Sequence, residues 1–186
     1  MKSSAAEARA LLASAEQLLG PDEVAAVVRR VAGEITAALG ERQPLVLAVM
    51  RGSVVFAGHL LPLLQFPLDF DYVDVTRYGT ATTGGTIDWR VEVPAAVHDR
   101  VVLVIDDILD EGHTLAAIRD RVLAAGARAV LLAVFADKQL ALNKPVAADF
   151  TGTAVPDRYV FGFGMDIRGM WRNLPAVYAL RREEHD

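Results

Sequence analysis

Residues 101–115, VVLVIDDILDEGHTL, begin as a run of apolar side chains and end in acids, a glycine and a threonine. Val101 to Ile105 are all apolar and mostly β-branched, the pattern of a strand buried on both faces. Residues 114–125, closed by Gly126, read as a helix with its C-terminal stop. A buried strand feeding straight into a helix is the building unit of a parallel α/β sheet. The same stretch crowds Asp106, Asp107, Asp110 and Glu111 into six positions at the carboxyl end of the strand. Ligands of open α/β sheets collect at that end, near helix N-termini, where backbone N–H groups suit a phosphate. Four carboxylates would repel a phosphate unless some of them hold sugar hydroxyls or a divalent cation. Spacing alone leaves another reading open, in which the aspartates cap the helix and finish a turn. A phosphate loop of the Gly-x-x-x-x-Gly-Lys-Ser/Thr type is excluded, because the string does not occur.

The rest of the chain repeats the alternation. Val24, Val27, Val28, Val31 and Ile35 give residues 21–39 one apolar face, with Pro21 at the first helical position and Gly40 as the cap. Residues 5–19, rich in alanine, read as an earlier helix. The run 44–50 is a short strand, followed by Arg51-Gly52-Ser53 and a helical stretch to about residue 64. Leu68, Phe70 and Tyr72 alternate with Asp69 and Asp71, as in a half-buried strand. The polar, glycine-rich segment 76–85 reads as a flexible loop, and 87–93 as a strand that pairs back. Further strands are expected at 129–135, 159–163 and 177–180. These elements form an α/β fold with a mainly parallel central sheet flanked by helices. No repeat or linker divides residues 1–186, which read as a single domain.

Charge and composition narrow the function. A net charge of −5 argues against general affinity for nucleic acid or anionic membranes. With no cysteine, disulfides and thiolate metal sites are excluded. The longest uncharged run, 53–68, is interrupted by His59, Pro62, Gln65 and Pro67 and falls short of the roughly 20 apolar residues of a spanning helix. The N-terminal stretch carries Glu7, Arg9 and Glu16 where a secretory signal needs an unbroken apolar core. The expectation is a cytoplasmic protein with no membrane partner.

The string VLVIDDILDEGHTL resembles the phosphoribosyl pyrophosphate (PRPP) motif of type I phosphoribosyltransferases. MRGS (50–53) resembles the pyrophosphate loop of that family, and TRYG (76–79) the start of its mobile catalytic loop. DK at 137–138, PDRYVFGFGMD (156–166) and then Arg172 resemble the purine-binding half of the hypoxanthine-guanine members. The matches follow the family's order from about residue 45 to 180.

This resemblance implies a fold with a small hood built from the chain ends, and a set of roles. Asp106 and Asp107 would bind the ribose hydroxyls of PRPP with Mg2+ nearby, and Asp110 would be the catalytic carboxylate. The backbone of Asp110, Glu111, Gly112 and His113, with Thr114, would hold the 5′-phosphate. Arg51, Gly52 and Arg172 would meet pyrophosphate, with a cis peptide at Met50–Arg51. Lys138 would donate to the six-position oxygen of guanine or hypoxanthine, Tyr159 would stack on the base, and Val160 would offer its backbone. Asp166 would ligate Mg2+, and Thr76, Arg77, Tyr78 and Gly79 would open the mobile loop. Phe161 and Phe163 are expected in the core. Glu111 and His113 depart from the family's usual residues, and Glu111 is expected to face outward.

The implied reaction transfers the phosphoribosyl group to hypoxanthine or guanine in purine salvage, giving IMP or GMP and pyrophosphate. A preference for xanthine is one alternative, and a PRPP-sensing regulator of the same fold is another. The acidic charge, Asp110 and Tyr78 argue against the regulator. The family forms dimers or tetramers, so a homodimer or homotetramer is expected.

Overall fold

The computed structural model describes residues 4–78 and 86–181. Its central strands are β2 (Leu45–Met50), β3 (Asp69–Tyr78), β4 (Thr86–Val91), β5 (Val101–Leu109), β6 (Ala129–Gln139) and β7 (Phe150–Pro156), counted after a short β1 (Glu16–Leu19). They form one six-stranded sheet in the order β4-β3-β2-β5-β6-β7. All neighbours are parallel except β4, which returns antiparallel along β3.

The sheet is covered on both faces, which is why β2 and β5 are apolar without alternation. Leu103 and Ile105 of β5 pack with Val46 and Ala48 of β2 beneath α2 (Pro21–Leu39) and α3 (Val54–Leu60). Their neighbours Val102 and Val104 face the other way, onto Leu115, Ile118 and Val122 of α4 (His113–Ala124). The period of two along each strand thus sorts one sequence run into two cores.

A three-stranded sheet, β1 with β9 (Val177–Ala179) and β8 (Val160–Phe161), forms the small hood. The first helix, α1 (Ala5–Ser14), joins it: the Trp171 indole N–H donates to the Ala8 carbonyl at 2.9 Å. Arg158 reaches Glu16 at 2.6 Å, tying the two chain ends. Among the described residues, no helix is long and apolar enough to cross a membrane.

Five expectations are corrected. The helix expected over 5–19 stops at Ser14, and Ala15 is extended. Residues 16–19 pair with β9 instead, so a tertiary partner overrides helical propensity. The loop expected from residue 76 starts later, because Thr76, Arg77 and Tyr78 complete β3 and pair with β4. Their β-branched and aromatic character suits a strand, and Gly79 lies outside the described residues. Phe70 and Tyr72 are exposed, because α3 packs over β2 and β5 and leaves that part of β3 uncovered. Asp106 and Asp107 belong to β5, and Lys138 lies inside β6 rather than past it. The side-by-side pairing of β5 and β6 continues to Leu109 and Asp137, carrying polar residues into the ladder. Strand β7 was not anticipated, although Thr151, Thr153 and Val155 carry strand character.

Candidate active site

The carboxyl ends of β2, β5 and β6 open on one cleft of about 610 Å³. From β2 come Arg51 and Gly52, after a cis peptide between Met50 and Arg51 as the resemblance implied. From β5 and its turn come Asp106, Asp107, Asp110 and Thr114, and from β6 Lys138. The late segment adds Tyr159, Val160, Asp166 and Arg172, and β3 adds Thr76. A smaller cleft of about 270 Å³ continues along 106–115 and includes Glu111, Gly112 and His113. Glu111 and His113 are exposed, and Gly112 is buried. Gly112 has φ +84°, a left-handed turn that a side chain would strain, and α4 starts from it.

Asp106 and Asp107 are both 8% exposed. The Asp107 N–H donates to the Asp106 carboxylate at 2.9 Å. Burial first, and then the charge of Asp107, hold Asp106 well above the ordinary carboxylate value. Burial also raises Asp107, opposed by its hydrogen bond with Asp106 and by the Arg172 guanidinium. That guanidinium stands 3.7 Å from Asp107. It also pairs with Asp166 and donates to the Gly164 carbonyl at 2.6 Å. The other Asp166 oxygen accepts from the Gly169 N–H at 2.6 Å. Two buried like charges with one shared cation nearby are suited to hydroxyl donors or a metal ion.

The second charge pair is of the opposite kind. Lys138 Nζ lies 2.7 Å from Asp110 Oδ2, with the lysine side chain 14% exposed and the aspartate 48%. Tyr159 is half exposed at the same cleft, and Val160 is buried at the start of β8. Phe161 and Phe163 are fully buried, as expected of core residues.

Three segments far apart in sequence meet beside the cleft. A Cβ on Gly52 would sit 2.2 Å from an Asp107 carboxylate oxygen, and one on Gly164 would sit 2.4 Å from the Gly52 carbonyl. Only bare backbone fits there. Reading the sequence alone missed Gly164 in this role. It also missed Lys144, whose ammonium joins the ends of β5 and β6.

The sequence pattern of the phosphoribosyl transferase domain matches residues 14–168. The chain belongs to the phosphoribosyl transferase family. Among members of this family, the bifunctional protein TilS/HprT of Listeria innocua is 35% identical over 167 residues, 89% of this chain and 26% of that protein. This chain therefore spans about a quarter of the length of that bifunctional relative. The hypoxanthine-guanine phosphoribosyltransferase of Bacillus subtilis is 29% identical over 165 residues, 88% of this chain and 92% of that one. A hypoxanthine phosphoribosyltransferase of Staphylococcus aureus shares the fold, with a TM-score of 0.86 at 23% identity over 95% of this chain and 97% of the other.

Proposed function

We propose that this single-domain chain is a cytoplasmic purine-salvage enzyme that transfers the 5-phosphoribosyl group of PRPP to hypoxanthine or guanine. The observation that carries this reading is the Lys138–Asp110 pair beside the phosphate-suited turn. A lysine ammonium has donors only, and an ionised aspartate has acceptors only. An oxopurine offers its exocyclic six-position oxygen for the one and an imidazole N–H for the other. Adenine places an amino donor where Lys138 also donates, leaving both unsatisfied.

PRPP would lie along the rest of the cleft. Its ribose hydroxyls donate to Asp106 and Asp107, and its 5′-phosphate rests on the amides of 110–113 and the Thr114 hydroxyl. Arg51, the Gly52 N–H and Arg172 receive the pyrophosphate. As the C1′–oxygen bond breaks, C1′ gains positive character and a purine nitrogen bonds to it. The departing pyrophosphate carries its negative charge onto the two arginines. The imidazole proton passes to Asp110, acting as general base.

Magnesium favours one or two carboxylates with substrate phosphates over an all-protein cage. The donor set fits: Asp106, Asp107 and Asp166 line the same cleft. Among the described residues, no group of three His, Cys, Asp or Glu side chains forms a cage. Mg2+ arriving with PRPP would neutralise the carboxylates and the pyrophosphate. Thr76, near the end of β3, lines the cleft beside the reacting centre. A homodimer or homotetramer would cover the exposed Phe70 and Tyr72.

Initial rates with hypoxanthine, guanine, xanthine and adenine under saturating Mg2+ and PRPP test the reading. Hypoxanthine and guanine should turn over ~10⁴-fold faster than adenine, the scale for a site that leaves polar groups unpaired. Absence of nucleotide product with every base would sink the proposal, and xanthine as the fastest substrate would reassign the base.

A further inference from the structure

Between β6 and β7 the chain crosses residues 140–149 without helix or strand. This plain connection nevertheless touches both halves of the cleft. Lys144 reaches back from it, and its Nζ donates to the Leu109 carbonyl at 2.8 Å and the Lys138 carbonyl at 2.6 Å. Its third partner is the Asp137 carboxylate at 2.5 Å. The Lys144 side chain is only 14% exposed, so three donors meet three acceptors in a largely water-free place.

Those acceptors occupy a particular point in the sheet. Leu109 and Asp137 are register partners, the last ones shared by β5 and β6. The next residue on β5 is Asp110, and the next on β6 is Lys138. The two strands therefore stop pairing just where they present the catalytic carboxylate and the purine-reading lysine. Side chains alternate along a strand, so Asp137 and Lys138 point to opposite faces. Lys144 binds from behind and does not line the cleft. Beyond it, Pro145 and Val146 press on Gly112: a Cβ there would meet them at 3.3 and 3.4 Å.

We infer that Lys144 is a positioning residue, fastening the ends of β5 and β6 so that Asp110 and Lys138 face the purine at a fixed spacing. This rests on the proposed purine transfer. An ammonium suits the place because it neutralises Asp137 and bridges carbonyls from the ends of both strands. Misplacing reactive groups by about 1 Å can cost ~10²-fold in rate, so a partial loosening should be readily measurable.

The test compares the wild-type enzyme with Lys144→Met and Lys144→Arg. In Lys144→Met, the KM for hypoxanthine should rise about tenfold or more while the KM for PRPP stays within about twofold. Lys144→Arg should recover most of that loss. If Lys144→Met does not fold, Lys144→Gln, which keeps an N–H donor, should show the same split at smaller size. Both KM values rising together, neither rising, or no recovery with arginine would overturn the assignment. Hydrogen exchange supplies the second readout. Amides at 109–111 and 138–141 should exchange faster in the variant, with residues 45–50 unchanged, and equal exchange at 109–111 and 138–141 would also overturn it. A wild-type chain that turns over no purine would defeat the functional reading, yet the exchange comparison would still decide the fastening role.

Discussion

The carboxyl end of β5 takes part in two charge pairs built on opposite principles. Asp106 and Asp107 are like charges, buried together, with the Arg172 guanidinium near them. Asp110 and Lys138 are opposite charges in direct contact, on the edge of solvent. The first pair costs stability in the free chain and awaits a ligand that relieves it. The second is already satisfied, and on the proposed function a purine would open it by offering both partners equivalent hydrogen bonds. The difference teaches that substrate binding, so read, would relax one end of the cleft while exchanging contacts at the other.

Removing the acceptor charge breaks the second pair most severely. Asp110→Asn should lower kcat by about 10²-fold or more, the scale for a general base, with little change in the KM for PRPP. Near-normal turnover of the folded variant would take Asp110 out of the proton transfer. Next in size is Lys138→Gln, whose amide adds an acceptor where the lysine had none. The ratio of kcat/KM for hypoxanthine over adenine should fall about tenfold, and an unchanged ratio would place base reading elsewhere.

The first pair is sharpened by stability rather than rate. Both carboxyls have folded-state pKa values above the ordinary one. The folded chain therefore holds protons that the unfolded chain has already released. This contribution to stability is greatest near and below the ordinary carboxylate pKa, and it declines as pH rises through the raised values. Asp106→Asn should raise Tm at neutral pH, by about 2–4 °C for each kcal/mol relieved, and flatten the pH dependence between the two values. The same variant should weaken PRPP binding several-fold. A Tm that falls at neutral pH would mean that the paired charges are already compensated.

Much of the acidic side of the cleft was legible because it is contiguous: strand, acids, glycine and helix start occupy 101–115 in one run. The turn at Met50–Gly52, proposed to meet pyrophosphate, was legible for the same reason. Lys138 was recognised as a residue but misplaced beyond its strand, because the polar end of β6 is held by pairing with β5 and β7 rather than by its own composition. Lys144 was invisible, since a lysine in a coil resembles any solvated loop residue until the fold brings two strand ends beneath it. The hood strand β1 was hidden in a helix-forming segment for the same reason: its partner β9 lies some 160 positions away. Exposure of Phe70 and Tyr72 was equally hidden, because alternation shows that a strand has two faces but not which one a helix covers.

The contact among Gly52, Asp107 and Gly164 bears on how such an enzyme can change. A single methyl at either glycine would collide with a neighbour, at 2.2 Å from Asp107 or 2.4 Å from the Gly52 carbonyl. Random libraries at those two positions should return almost nothing but glycine, however permissive the selection. Adaptation to a bulkier base is therefore channelled to Tyr159, which lines the cleft half in solvent and lies outside the six-stranded sheet. The glycine contact sets a fixed boundary, and diversification of substrate has to proceed from the exposed part of the lining.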